Sequence, residues 1–170
     1  MHRPNWQTPA AMLRAARASA FANPDLGDFG SLTARLRARH GSSFRVQVLS
    51  LRFARPAPDE AELLGIKASA HALIRDVALW GSGAIEVRAR SVLPLCTLSG
   101  RLRRLKGLKD RPLGAAIFAH PGLRRVRVEI AKLPAANPLV APLQRPAWAR
   151  RSLFVIAHKR LLVTEVFVGA

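Results

Sequence analysis

Two strand-like runs, Leu73 to Trp80 and Ala84 to Leu93, meet at Gly81-Ser82-Gly83, and that spacing constrains the rest of the chain. So short a turn joins only antiparallel strands, because parallel neighbours need a crossover of about a dozen residues. Pro94 ends the second strand, since proline gives no N–H to a sheet ladder. A second hairpin closes the chain: Ser152 to Ala157 and Leu161 to Val168, turning at His158-Lys159-Arg160. Phe44 to Phe53 reads as a further strand. Phe44, Val46 and Val48 share one parity, Leu51 and Phe53 the other, so a bulge is expected near Val48-Leu49. Arg124 to Ala131 alternates, with Val126, Val128 and Ile130 on one face and Arg125, Arg127 and Glu129 on the other.

Short helices fall between these runs. Thr8 caps and Pro9 opens a helix predicted to reach Phe21, with Met12, Leu13 and Ala16 on one face. Residues 1–24 hold Arg3, Arg14 and Arg17 and no acid, a composition shared with transit peptides; a surface helix is the preferred reading. Ser31 to His40 is bounded by a serine N-cap and Gly41. Asp59 to Gly65 carries acids in its first turn. Two more are expected around Arg101 to Leu105 and from Pro112. Pro134 to Pro146, with four prolines, is a loop. The expectation is a single α+β domain over 1–170, with about six mostly antiparallel strands and helices packed on one side.

Composition excludes several classes. With 49% hydrophobic residues in 170, a core is affordable and disorder is not expected. No apolar stretch approaches the roughly 18 residues of a membrane span. Cys96, the single cysteine, permits no internal disulfide, fits a reducing cytoplasm, and reads as a small buried apolar residue. The five histidines lack zinc-ligand spacing, so no metal is expected. Twenty-eight Lys and Arg against ten acids give +18. Clusters stand at Arg101, Arg103, Arg104, Lys106, Lys109 and Arg111, and at Arg124, Arg125 and Arg127. Such a field attracts nucleic acid or steers a small anion. Stacking aromatics are missing, with no Tyr and with Phe mostly in apolar runs, so nucleic acid is not the expected partner.

Four signatures follow one another along the chain: Val92-Leu93-Pro94-Leu95-Cys96-Thr97-Leu98-Ser99-Gly100, Pro112-Leu113-Gly114 with Phe118, Trp148-Ala149-Arg150-Arg151-Ser152, and Leu161-Leu162-Val163-Thr164-Glu165-Val166-Phe167. In this order they resemble the chorismate pyruvate-lyase family, and a looser likeness runs back to about Asp25. The resemblance implies elimination of pyruvate from chorismate to leave 4-hydroxybenzoate for ubiquinone synthesis, without a cofactor. It also implies a six-stranded antiparallel fold.

Candidate site residues combine both kinds of reasoning. Arg75 interrupts an apolar strand and can offer a planar fork to a carboxylate. The resemblance gives it the substrate and product carboxylate; the plain reading is a solvent-facing arginine or one paired with Asp76. Leu113 would offer a backbone N–H from the start of its helix. Glu165 shares a face with Val163 and Phe167, where burial raises a carboxyl's pKa unless an arginine offsets it. The resemblance sets it against the product's ring hydroxyl, as contact and as proton acceptor or donor; the plain alternative is an ion pair with Arg90 or Arg151. Leu32 occupies the place of a flap methionine that touches the ligand, with similar volume. Either Arg150 or Arg151 could face the pocket.

The expected protein is thus a monomeric, cytoplasmic enzyme acting on chorismate. Two alternatives stay open. One is a ligand-sensing domain of the same fold, against which stand the only about 40 residues before the first strand, too few for a winged helix. The other is a basic nucleic-acid-binding protein.

Overall fold

Two tight turns organise the sheet. The computed structural model describes residues 4–14, 24–28, 30–107, 113–118 and 120–168. In it Ser82 and Gly83 take φ of 50° and 86°, as a two-residue type I′ hairpin turn requires. They join β2 (Ala72–Gly81) to β3 (Ala84–Pro94). The second hairpin turns at Ala157 and His158 (φ 47° and 64°), not over His158-Lys159-Arg160. It joins β5 (Ala147–Ile156) to β6 (Lys159–Phe167). β5 therefore starts five residues before the expected Ser152. Trp148, Ala149, Arg150 and Arg151 mix bulky, small and charged side chains, and that lack of alternation hides a strand.

With β1 (Arg45–Ala54) and β4 (Arg124–Leu133) the sheet runs β1-β2-β3-β6-β5-β4, every neighbouring pair antiparallel. β1 bulges between Val48 and Ser50, as its parity change predicts. β4 bulges as well, between Arg125 and Arg127, where unbroken alternation was expected. Val126 becomes the extra residue and lies 48% exposed. Arg125 pairs with Phe154 and joins the face that carries Val128 and Ile130.

The helices are α1 (Pro9–Arg14), α2 (Pro24–Gly27), α3 (Leu32–His40), α4 (Pro58–Leu64) and α5 (Leu113–Phe118), with a 3-10 turn over Gly100–Gly107. Thr8 Oγ1 accepts from the Ala11 amide and Ser31 Oγ from Ala34, each at 3.3 Å, so both N-caps form. The expected extension of α1 to Phe21 lies outside the described residues.

One face of the sheet meets α2, α3, α5 and Met12 of α1 through two core clusters. Met12, Leu26, Leu32 and Leu36 pack on Val77, Leu79, Val87 and Phe167. Leu113, Ile117, Leu102 and Leu105 pack on Leu73, Leu93, Phe154 and Leu161. The opposite face is covered by Leu64 of α4 and by Leu139, Val140 and Leu143 of the proline-rich loop. Cys96 is exposed, against its expected burial. The chain turns after Pro94, and Thr97 takes the inward position, donating to the Arg160 carbonyl at 2.7 Å.

The end of α3 lies directly on the β2–β3 hairpin. His40 Nδ1 sits 2.9 Å from Ser82 Oγ. A Cβ on Gly81 would come within 2.4 Å of the imidazole ring. Gly81→Ala should therefore cost about 1–3 kcal/mol, the range for overpacking. In denaturant melts, His40→Ala combined with Gly81→Ala should lose no more than His40→Ala alone. Additive losses would rule out this clash as the cause.

Candidate active site

Between the two core clusters of the helical face lies a cavity of about 560 Å³, counted with its mouth. β2 contributes Arg75, Val77 and Leu79, β3 contributes Ala89 and Ser91, and β6 contributes Val163 and Glu165. Strand alternation explains the choice on β2. Arg75 points to this face and is 3% exposed, whereas Asp76 points to the other, engaging Arg52 at 2.8 Å and Arg90 at 3.4 Å. Arg75 is thus neither solvent-facing nor the partner of its neighbour.

Glu165 is held by an arginine, and it is Arg150. The two residues stand opposite each other on β5 and β6. Arg150 Nε and Nη2 lie 2.8 and 2.7 Å from Glu165 Oε2. The alternative pairing with Arg90 or Arg151 does not form: Arg90 meets Glu60 at 2.7 Å, and Arg151 meets Glu129 at 2.6 Å and Asp59 at 2.9 Å on the opposite face. Arg150 has no exposed surface. Its Nη1 donates to the carbonyls of Asp25, at 2.9 Å, and Asp28, and its guanidinium lies 5.8 Å from the Phe167 ring centre. A carboxylate gripped this way is fixed as a hydrogen-bond acceptor in an apolar surrounding.

The helical wall is braced through the same segment. Asp25 of α2 takes hydrogen bonds from Arg35 Nε (3.0 Å) and Arg39 Nη1 (2.9 Å) of α3. These hold in place the start of α3, whose Leu32 and Thr33, with Gly30 and Ser31, line the cavity. Leu113 and Ile117 of α5 line it from the same layer.

A family description reading "Chorismate lyase" matches residues 1–170. The chain belongs to the chorismate lyase family. Among its relatives, the "Probable chorismate pyruvate-lyase" of Methylococcus capsulatus is 45% identical over 148 residues, covering 83% of this chain and 90% of its own. The protein of the same name from Thiobacillus denitrificans is 42% identical over 152 residues, covering 85% and 81%. Among solved structures, the effector domain of PhnF from Mycobacterium smegmatis superimposes with a TM-score of 0.60 at 18% identity, over 82% of this chain and 89% of that one. At that identity the likeness is one of fold.

All four residues singled out by the chorismate lyase resemblance, Arg75, Leu113, Glu165 and Leu32, line the one cavity. Pro112, expected to open the helix of Leu113, lies outside the described residues. Of the two candidate arginines, Arg150 reaches Glu165 and Arg151 does not. Alternation set Arg125 on the face of Arg127 and Glu129, away from the core; the β4 bulge turns it into the cavity instead. Its guanidinium lies 4.9 Å from the Phe154 ring centre and donates to the Gly30 carbonyl at 3.4 Å. Burial first, and then the neighbouring Arg150 charge, pull its pKa below the ordinary arginine value. The doublet Arg124-Arg125 was the available signal, since two adjacent charges cannot both face solvent on a regular strand.

Asp25 generates a prediction in acid. Burial raises its carboxyl, but hydrogen bonds and charge from Arg39 and Arg35 outweigh burial and hold it below its ordinary 3.8. The folded pKa is depressed, so the stabilisation is present above pH 3.8 and is lost as pH falls through the lower folded value. In urea melts the stability gap between wild type and Asp25→Asn should be constant near neutrality and shrink below that pH. A gap that persists undiminished to about pH 2 would contradict the depressed pKa.

Proposed function

We propose that the protein eliminates pyruvate from chorismate and releases 4-hydroxybenzoate, a precursor for ubiquinone. One observation carries the reading: Arg75, Leu113, Leu32 and Glu165 meet in a single buried cavity, with Glu165 fixed by Arg150. In the reaction a ring proton departs, the ether C–O bond breaks with its electron pair leaving on oxygen, the released enolate takes a proton at its methylene carbon to become pyruvate, and the ring becomes aromatic. The exchange is redox-neutral and aromatisation drives it. The protein's part is to bind anions, exclude water and place one carboxylate.

In this reading Arg75 forks the ring carboxylate, and the Leu113 N–H adds a donor to it. Glu165 accepts from the ring hydroxyl at the far end of the ligand. It is the carboxylate we assign to the departing ring proton, and its grip by Arg150 keeps it from swinging away. Leu32 closes the apolar side from α3. The +18 charge draws the dianion towards the cavity by steering, with the usual screening by salt. No helix among the described residues is long and apolar enough to cross a membrane. We take the enzyme to act as a cytoplasmic monomer.

Purified protein given chorismate should produce 4-hydroxybenzoate, followed by its absorbance. Binding of both compounds without turnover would instead mark a sensing domain. Glu165→Gln keeps the shape but can neither take up nor give a proton near neutral pH. Its single-turnover rate should fall roughly 10²–10⁴-fold, the range of a general acid–base group, while product affinity changes much less. Near-normal turnover would reduce Glu165 to an orienting contact. Arg75→Lys keeps the charge but loses the fork, and should weaken 4-hydroxybenzoate binding by about 1.5–3 kcal/mol in calorimetry. Unchanged affinity would remove Arg75 from the site.

A further inference from the structure

We propose that Arg125 binds the second carboxylate of the substrate, the one on the enolpyruvyl group that leaves as pyruvate. The proposal rests on the lyase reading and deepens it. Chorismate carries two carboxylates and 4-hydroxybenzoate one, so a site that turns over the first and sheds the second needs to tell them apart. Two arginines line the cavity, and they stand on different strands. Arg75 is on β2 and Arg125 on β4, with β3, β6 and β5 between them. At the usual strand spacing their backbones are about 19 Å apart, too far for both guanidinium groups to clasp one carboxylate.

The order across the sheet matches the order along the ligand. Arg75 on β2 holds the ring carboxylate, and Glu165 on β6 meets the hydroxyl at the opposite ring carbon. The enolpyruvyl ether is attached to the carbon next to that hydroxyl, so its carboxylate extends beyond Glu165 and away from Arg75. The strands beyond β6 are β5 and β4, which bring Phe154 and Arg125 to the cavity. Glu165 is near enough to Arg125 to favour its charged form. The Phe154 face beneath the guanidinium sets its plane. Arg150 is not among the side chains that line the cavity, and its Nε and Nη1 bind Glu165 and the carbonyls of Asp25 and Asp28.

An arginine that reads only the leaving half contributes to substrate binding and nothing to product retention. The test uses two stable ligands, 4-hydroxybenzoate and its ring-substituted dicarboxylate, 3-(carboxymethoxy)-4-hydroxybenzoate, in calorimetry on the full chain. Arg125→Gln should bind 4-hydroxybenzoate within about twofold of wild type, which also shows the cavity is intact. It should bind the dicarboxylate about 10-fold or more weakly, the loss expected for a charge-assisted hydrogen bond. Arg125→Lys should recover part of that loss, and with chorismate the Gln variant should raise KM far more than it lowers kcat. Equal weakening of both ligands, or of neither, overturns the proposal. Should wild type fail to convert chorismate, the lyase reading falls, while the two-ligand comparison still decides whether Arg125 reads a second carboxylate.

Discussion

The fully buried guanidinium of Arg150 joins the sheet, the helical layer and the Glu165 carboxylate. Removing an arginine from water costs several kcal/mol unless its donors are satisfied. Here Nε and Nη1 donate to Glu165 on the neighbouring strand and to the carbonyls of Asp25 and Asp28 in and after α2, and Nη2 lies 2.7 Å from the same Glu165 oxygen. The pair of carbonyls fixes α2 on the sheet, and the Asp25 carboxylate passes the constraint to α3 through Arg35 and Arg39. The first turn of α3 is a wall of the cavity. One buried cation thus sets the direction of Glu165 and the position of the wall facing it.

Charge is divided between the faces of the sheet by strand parity. On the helical face the sheet presents Arg75, Arg125 and Glu165 to the cavity, with Arg150 buried beside Glu165. The opposite face carries Arg52, Asp76, Arg90 and Glu60 in one linked set and Asp59, Arg151 and Glu129 in another. Each acid among Asp25, Asp28, Asp59, Glu60, Asp76, Glu129 and Glu165 lies within 4 Å of an arginine. The acids are committed to internal bracing, which leaves most of the basic side chains uncompensated at the surface. The +18 charge then reflects a shortage of surface acids, and it bears on a dianionic ligand through its field more than through any single contact.

Much of this was legible in the sequence. The Gly81-Ser82-Gly83 signal and the parity change near Val48 gave the hairpin and the β1 bulge, because both leave a mark on the apolar pattern. The cavity residues Arg75 and Glu165 were visible as charges inside apolar strands. The β4 bulge left no such mark. Val126, Val128 and Ile130 alternate without a break on paper, yet Val126 is the residue pushed out to solvent. Hydrophobic alternation reports what a regular strand would bury, and a bulge at a basic stretch overrides it because the displaced valine costs little at an edge.

The partner of Glu165 was hidden by one turn. Pairing in a hairpin is fixed by loop length, and a slip of one residue sends every side chain to the other face. A two-residue turn at Ala157 and His158 pairs Ile156 with Lys159, and counting back along the strands sets Arg150 opposite Glu165. A three-residue turn over His158-Lys159-Arg160 would have set Leu153 there and left Glu165 to seek a more distant arginine. The residues gave no warning, since alanine and histidine lack the Asn-Gly character that marks a type I′ turn. Ala157 holds a left-handed φ of 47° without glycine's freedom, a conformation that the ladders of β5 and β6 impose on it from both sides. The register is therefore dictated by the strands, with Leu161 and Leu162 in the core and Arg150 under Glu165, and the turn follows.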